Sequence, residues 1–323
     1  MKKLSLVGVI GLVIGLILSG CSEQETPSQT NQSDMLTVYT TVYPLEYFAQ
    51  RIGGEHIEAK TIYPPGADEH TYEPSQKDMI QLAEADLFIY VGLGLEGFVE
   101  KAKGTLENED VHLLGAGEHL HLEEVDEENH SVGEDVDEHD HEEEDHNHGN
   151  VDPHVWIDPI YSKELAEAIK VELVELLPEY KDKLEENYQQ LISELSTLDN
   201  KFTNLVENAK QKEILVSHSA YGYWEERYGI KQISISGMST TSEPSQRELQ
   251  KIISEAKGTN LKYVLFEQNY QSKLAEMVKQ EIGAKSLTLH NLSVLTKEDI
   301  DNQETYFSLM EKNLQTLEKA LNE

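Results

Sequence analysis

The chain has a single cysteine, Cys21, in 323 residues. That excludes a disulfide within the chain, and it excludes thiolate metal centres, which need several cysteines. Basic residues are few: 26 Lys and Arg stand against 61 Asp and Glu, a formal charge of −35. This balance argues against nucleic acid as a partner, because phosphate binding needs clustered lysine and arginine. Neither Lys nor Arg occurs between Lys103 and Lys163. No apolar run reaches the roughly twenty residues that a membrane-spanning helix requires. No His-Glu-x-x-His motif of the metalloprotease kind is present.

The first residues carry an export pattern. Lys2 and Lys3 precede an apolar run from Leu4 to Leu18, which leads into Leu18-Ser19-Gly20-Cys21. A charged start, a short apolar core and small residues before a cut site describe a secretory signal over residues 1–20. The Leu-Ser-Gly-Cys ending resembles the bacterial lipobox, whose cysteine is lipidated and becomes the first mature residue. The resemblance implies that Cys21 is lipidated and holds an exported protein to the outer face of the cell membrane. Residues 21–34 are polar and have too little apolar surface to fold, so they read as a tether.

From Met35 onward the pattern alternates between strand and helix. Leu36–Thr40, Ile57–Ile62, Leu87–Val91 and Val111–Leu114 read as strands, with helices between them over Pro44–Ile52, Ser75–Ala85 and Gly94–Ala102. Ser75 with Asp78 three residues later is a helix-start signature. Residues 160–209 are strongly helical: Leu165, Ile169, Leu173 and Leu176 recur at helical spacing, Pro178 interrupts, and Leu184, Tyr188, Leu191, Leu195, Leu198, Phe202 and Leu205 continue the stripe. Strand and helix then alternate again over residues 210–323, beginning with Glu213–Ser217 and a helix over Ala220–Tyr228; a strand over Ser286–Leu289 precedes the last helix. Such alternation implies parallel sheets in an α/β fold. Two βα blocks joined by one long helical segment imply two lobes, residues 35–159 and 210–323, with ligands outside the carboxyl ends of strands.

Residues 118–150 interrupt the first block. Within Glu118–His148 lie fifteen Asp or Glu and seven histidines: His119, His121, His130, His139, His141, His146 and His148. The segment reads as a solvated loop, and histidine-rich tracts of this kind also read as accessory metal collectors. No EF-hand spacing is present, and calcium does not use imidazole.

Three further histidines stand outside that loop. His70 lies in Gly66-Ala67-Asp68-Glu69-His70-Thr71-Tyr72-Glu73-Pro74, His154 in Asp152-Pro153-His154-Val155-Trp156-Ile157-Asp158-Pro159, and His218 in Val216-Ser217-His218-Ser219-Ala220-Tyr221. Taken singly, each reads as a hydrogen-bonded or surface histidine. Together, the three segments in this order resemble the metal-binding subunits of bacterial ABC importers, in the cluster that carries zinc or manganese. The resemblance covers Met35–Glu323 and the lipobox. It implies two βα lobes joined by a rigid helix, a metal site in the cleft between them, and ligand roles for His70, His154 and His218.

The fourth ligand departs from the family pattern. Relatives with an acidic fourth ligand take it from a loop near the C-terminus, where this chain places Ser293, a poor zinc ligand. Water, Glu69 or, less favourably, His290 remain as candidates. Three imidazoles without a fixed carboxylate favour zinc, Zn(II), over manganese, which prefers oxygen. Asp152, Asp158, Glu73 and Glu267 are candidates to orient the rings.

The expectation is a monomeric, non-enzymatic, high-affinity zinc carrier that delivers its ion to an ABC permease. The alternatives are a manganese carrier of the same family, a zinc hydrolase with Glu69 as general base, and a surface adhesin.

Overall fold

The computed structural model describes residues 35–122 and 151–323. The expected signal, tether and Cys21 lie outside those residues, as do His130, His139, His141, His146 and His148.

The first lobe holds strands β1 (Leu36–Thr40), β2 (Ile57–Thr61), β3 (Leu87–Tyr90) and β4 (His112–Gly115) in the order β2-β1-β3-β4, all parallel. Helices α1 (Tyr43–Gly53), α2 (Gln76–Ala83) and α3 (Val99–Leu106) connect them. Every residue of β3 is buried, as expected of a central strand covered on both faces. The expected helix over Gly94–Ala102 starts later, at Val99. Gly92, Leu93 and Gly94 all have positive φ, and the turn they form is held by Glu96, which accepts hydrogen bonds from the Val91 and Gly92 amides. A left-handed leucine costs roughly 1–2 kcal/mol, and the buried carboxylate contacts offset that cost.

Two helices follow, α4 (Pro159–Leu176) and α5 (Lys181–Glu207), separated by a tight turn at Pro178–Tyr180. At about 1.5 Å per residue, α5 is about 40 Å long. Its buried stripe is Leu184, Tyr188, Leu191, Leu195, Leu198, Phe202 and Val206. The expected terminal member, Leu205, is only half-buried. The 3.6-residue period carries the stripe past it by the last turn.

The second lobe repeats the topology. Strands β5 (Glu213–Val216), β6 (Lys231–Ser234), β7 (Tyr263–Phe266) and β8 (Lys285–Thr288) pair in parallel in the order β6-β5-β7-β8. Helices α6 (Gly222–Tyr228), α7 (Gln246–Gly258), α8 (Lys273–Ile282), α9 (Lys297–Asp301) and α10 (Tyr306–Asn322) complete it. Strand β8 starts and ends one residue before the expected Ser286–Leu289, and α6 starts two residues after Ala220. No helix among the described residues is long and apolar enough to cross a membrane.

One apolar core runs through both lobes and the helices between them, and a smaller one fills the far side of the second sheet. Backbone and side-chain bonds also join the lobes: Trp156 Nε1 donates to the Asn291 carbonyl at 2.7 Å, Trp224 Nε1 to the Ile157 carbonyl at 3.1 Å, and the Tyr43 amide to the Ser293 carbonyl at 2.8 Å. The strand ends of both sheets are thereby held against a shared seam.

Candidate metal centre

The Asp152–Pro159 segment does several jobs in eight residues. Asp152 Oδ1 accepts from the His154 amide at 2.9 Å and lies 2.7 Å from His154 Nδ1. That bond fixes the ring and turns Nε2 outward. Gly222 packs directly behind: a Cβ there would lie 2.8 Å from Asp152 Oδ2 and would push that carboxylate aside. Asp158 serves the fold instead. It caps α4 by accepting from the Ile160 and Tyr161 amides at 2.6 and 3.2 Å, pairs with Arg227, and touches no histidine. Glu73 is exposed and takes no part in orienting a ring.

His218 lies two residues past the end of β5 and is fully buried. Its Nδ1 is 2.8 Å from Glu267 Oε1, and its Nε2 is 2.9 Å from the Met238 carbonyl. Glu267 is the first residue past β7, and its second oxygen, Oε2, is buried without a hydrogen-bond partner among the described residues. His70 comes from the loop between β2 and α2, where its amide donates to Asp68 Oδ1 at 2.9 Å.

The three rings meet. His70 Nε2 and His154 Nε2 are 3.3 Å apart, and the ring centroids lie 5.2 Å (His70–His154), 5.1 Å (His70–His218) and 4.9 Å (His154–His218) from one another. Among the described residues, these three form a group whose ligand atoms all lie within 4.8 Å of each other. Two come from the first lobe and its exit segment, and one comes from the second lobe.

The electrostatics suit a cation. Burial, reinforced by the other two imidazoles, pushes His70 down to about 3, so its ring is neutral and its lone pair available. Burial also pulls on His218, but the charge and hydrogen bond of Glu267, with help from the Met238 carbonyl and Glu69, outweigh it and carry His218 up to about 9. Glu69 is buried and is raised to about 7 by desolvation and then by the charge of Glu267. Two buried carboxylates thus stand behind three imidazoles, and no lysine or arginine pairs with either among the described residues.

The fourth-ligand candidates are arranged differently. Glu69 Oε1 accepts from Asn291 Nδ2 at 3.0 Å, and Asn269 Nδ2 lies 3.4 Å from Oε2, so its carboxylate is held to the side of the cluster. Ser293 is buried and donates to Asn291 Oδ1 at 2.9 Å. His290 is committed elsewhere: Nδ1 accepts from the Leu292 amide at 2.9 Å and Nε2 sits 3.2 Å from Asp299 Oδ2. It lies outside the group formed by His70, His154 and His218, which removes it as a ligand. His119 and His121 are exposed and do not join the cluster; His121 Nδ1 is 3.5 Å from Glu164 Oε2.

No motif marks Asn269, Asn291, or the Thr240 hydroxyl that donates to Asp68 Oδ2 at 2.7 Å across the cleft. All three lie on loops past strand ends of the second lobe, where position alone could have nominated them.

Comparison with known proteins agrees with this architecture. The family model described as zinc-uptake complex component A, periplasmic, matches residues 38–320. The chain is 34% identical over 322 residues to the zinc-binding lipoprotein AdcA of Streptococcus pneumoniae, covering 99% of this chain but 61% of that protein. It is 33% identical over 307 residues to the high-affinity zinc uptake system protein ZnuA of Bacillus subtilis, covering 95% of this chain and 94% of that one. The Zn(II)-bound ZnuA-like domain of S. pneumoniae AdcA superposes with a TM-score of 0.71 at 30% identity, over 90% of this chain and 100% of the domain. With a matching family model over nearly the whole folded region, and with two parallel βα lobes enclosing a three-histidine cluster, the chain belongs to the zinc-uptake component A (ZnuA) family.

Proposed function

We propose that this chain is the extracellular zinc-capturing subunit of an ABC importer and that it delivers Zn(II) to the membrane permease. The observation that carries the reading is the convergence of His70, His154 and His218 within 4.8 Å, with His154 backed by the half-buried Asp152 and His218 by the buried Glu267. Three imidazole nitrogens suit four-coordinate zinc at about 2.0–2.1 Å. Glu69 completes the tetrahedron if it leaves Asn291 and Asn269; otherwise water does. Zinc is read as cargo, in keeping with the family's zinc-uptake role. Lipid on Cys21 holds it at the outer membrane face. The histidines of residues 118–150 raise the local zinc concentration. Docking to the permease parts the lobes, residues 35–159 and 210–323, and frees the ion.

Calorimetric titration of mature protein, residues 22 onward, with zinc and with manganese tests the reading, alongside a form lacking residues 118–148. The expected result is one tight zinc site in both forms, with weaker sites lost on deletion. A tight site that vanishes with the segment would remove the cleft from the proposal. Tighter manganese than zinc would reassign the cargo.

Proton competition gives a second test. Metal takes only the neutral ring, so zinc must displace the His218 proton at any pH below about 9. Affinity therefore rises by about tenfold per pH unit between 7 and 9, one proton leaving per zinc bound. Glu267→Gln removes the charge that holds this proton. It flattens the slope and, at pH 9, costs about 10–100-fold in affinity through the lost orientation of the ring. A flat wild-type profile from pH 7 to 9 would place His218 outside the zinc shell.

A further inference from the structure

Asn291 is buried at the seam between the lobes, and each of its polar groups is engaged. Its amide donates to Gln268 Oε1 at 3.1 Å, and its carbonyl accepts from Trp156 Nε1 at 2.7 Å. Its Oδ1 takes three donors: Gln268 Nε2 at 2.8 Å, the Ser293 amide at 3.1 Å and the Ser293 hydroxyl at 2.9 Å. Its Nδ2 donates to Glu69 Oε1 at 3.0 Å, joining positions 222 residues apart.

These partners leave the side chain one orientation. A backbone N–H can only donate, so the Ser293 amide requires an oxygen, and the Asn291 nitrogen must face Glu69. The Asn291 amide fixes Gln268 by the same rule, with Gln268 Oε1 accepting and its Nε2 left to donate. The backbone is set as firmly. Leu292 is buried with a φ of 63°, a conformation rare outside glycine, and its amide donates to His290 Nδ1 at 2.9 Å. A residue held in that region persists only where its surroundings over-determine it.

Glu69 stands at the other end of this bond, next in sequence to His70. It is buried, and among the described residues its carboxylate hydrogen-bonds only to neutral groups: Asn291, Asn269 at 3.4 Å and the Ser293 hydroxyl. Asn269 gives its shorter bond, 2.8 Å, to the Ala67 carbonyl, so Asn291 is the main hold. A buried carboxylate beside a cation can ligate it, or it can stand off and offset its charge. The three histidines bring their ligand atoms within 4.8 Å of one another, and Glu69 lies outside that group.

We infer that Asn291 is a positioning residue that withholds Glu69 from the ion, so that solvent takes the fourth place and zinc leaves faster than four protein ligands would allow. This rests on the carrier function proposed above. A carrier must surrender its cargo, and a fourth protein ligand would prolong the stay. Glu69 offsets the charge of the ion from one side, where the Asn291 Nδ2 donor keeps it. Because Gln268 and Ser293 fix Asn291, the carboxylate is the partner that moves when this bond breaks.

Asn291→Asp isolates the donor. It keeps the oxygen that Gln268 and Ser293 address and replaces only Nδ2, with a second oxygen that repels Glu69. Zinc release from the mature protein, residues 22 onward, is timed by stopped flow against a chelator. In Asn291→Asp it slows by about tenfold or more, the scale on which contacts behind a metal ligand act. Adding Glu69→Gln abolishes the slowing, whereas a gain from the extra charge alone would survive it. Glu69→Gln by itself speeds release by less than about tenfold, because the carboxylate is not a ligand while Asn291 holds it. Cobalt in place of zinc reads the fourth place: azide alters the visible spectrum of the wild type and not that of Asn291→Asp. Release from Asn291→Asp as fast as from wild type, or an equal azide response in the two, overturns the role given to Asn291. If that variant does not fold, Glu69→Gln decides: acceleration beyond about tenfold puts Glu69 on the ion already and overturns it too. A wild-type protein without a tight zinc site would instead overturn the carrier reading beneath it.

Discussion

Alanine in place of His154 lowers zinc affinity by at least about a hundredfold. The estimate follows from sharing: a four-ligand protein zinc site is worth about 10–16 kcal/mol, so one ligand accounts for about 3 kcal/mol, and each 1.4 kcal/mol is about tenfold. His154 is the ligand with the firmest support. It is fully buried, Asp152 fixes its Nδ1 at 2.7 Å, and its Nε2 faces His70 Nε2 at 3.3 Å. Two imidazole nitrogens held that close repel through their lone pairs unless a proton or a cation lies between them. The alanine variant removes this repulsion along with the ligand, so the metal-free protein keeps its fold while its zinc-bound form loses most of its added heat stability. Calorimetry and thermal melts with and without zinc measure both. Affinity within tenfold of wild type would mean that the ion is held elsewhere.

Trp156→Ala has the largest expected effect on stability, a loss of about 3–5 kcal/mol from the cavity and about 1–3 kcal/mol more from the buried Asn291 carbonyl left without its donor. Trp156 is fully buried and sits on the seam, contributed by the segment that leads into α4 and bonded to the loop after β8. At about 2–4 °C per kcal/mol for a chain of this size, the metal-free melting temperature falls by about 10 °C or more. Trp156→Phe, which keeps most of the volume but not the donor, loses about 1–3 kcal/mol. Because Asn291 also holds Glu69 at 3.0 Å, either change loosens the carboxylate beside the cluster. A melt lowered by less than about 3 °C for the alanine variant would show that the lobes do not depend on this bridge.

Much of the scaffold was legible because local rules set it. The long stripe from Leu184 to Phe202 follows from helical period alone, and the capped starts at Ser75 and Ser245 follow from side chains bonding amides three residues away. Where expectation and structure part at α3, backbone conformation intervenes. The start of α3 at Val99 is set by Glu96 reaching back to strand-end amides and by three successive positive-φ residues, a geometry that no window of composition reports.

The site divides the same way. The resemblance of three segments to the importer subunits nominated His70, His154 and His218, and proximity to strand ends or to the ligand itself nominated Asp152 and Glu267. Asp158 looked equally suited to orient a ring, but the structure gives it to the α4 cap and Arg227. His290 carries the same imidazole as the other three, yet Asp299 and the Leu292 amide take both of its nitrogens. What separates His290 from the other three is position: only His70, His154 and His218 bring their ring nitrogens within 4.8 Å of one another.

The sequence by itself determined the residue types that can hold a soft-to-borderline cation, the alternation that builds parallel sheets, and the absence of thiolates, since these depend on composition and short-range spacing. Tertiary structure alone decided which histidines meet, how Glu69 is held by Asn269 and Asn291, and which carboxylates face rings and which face helix ends. Most of those outcomes turn on long-range contacts, from 49 residues between His218 and Glu267 to 222 between Glu69 and Asn291, and such distances close only when two lobes share one core; Asp152 and Asp158 act on neighbours two or three residues away.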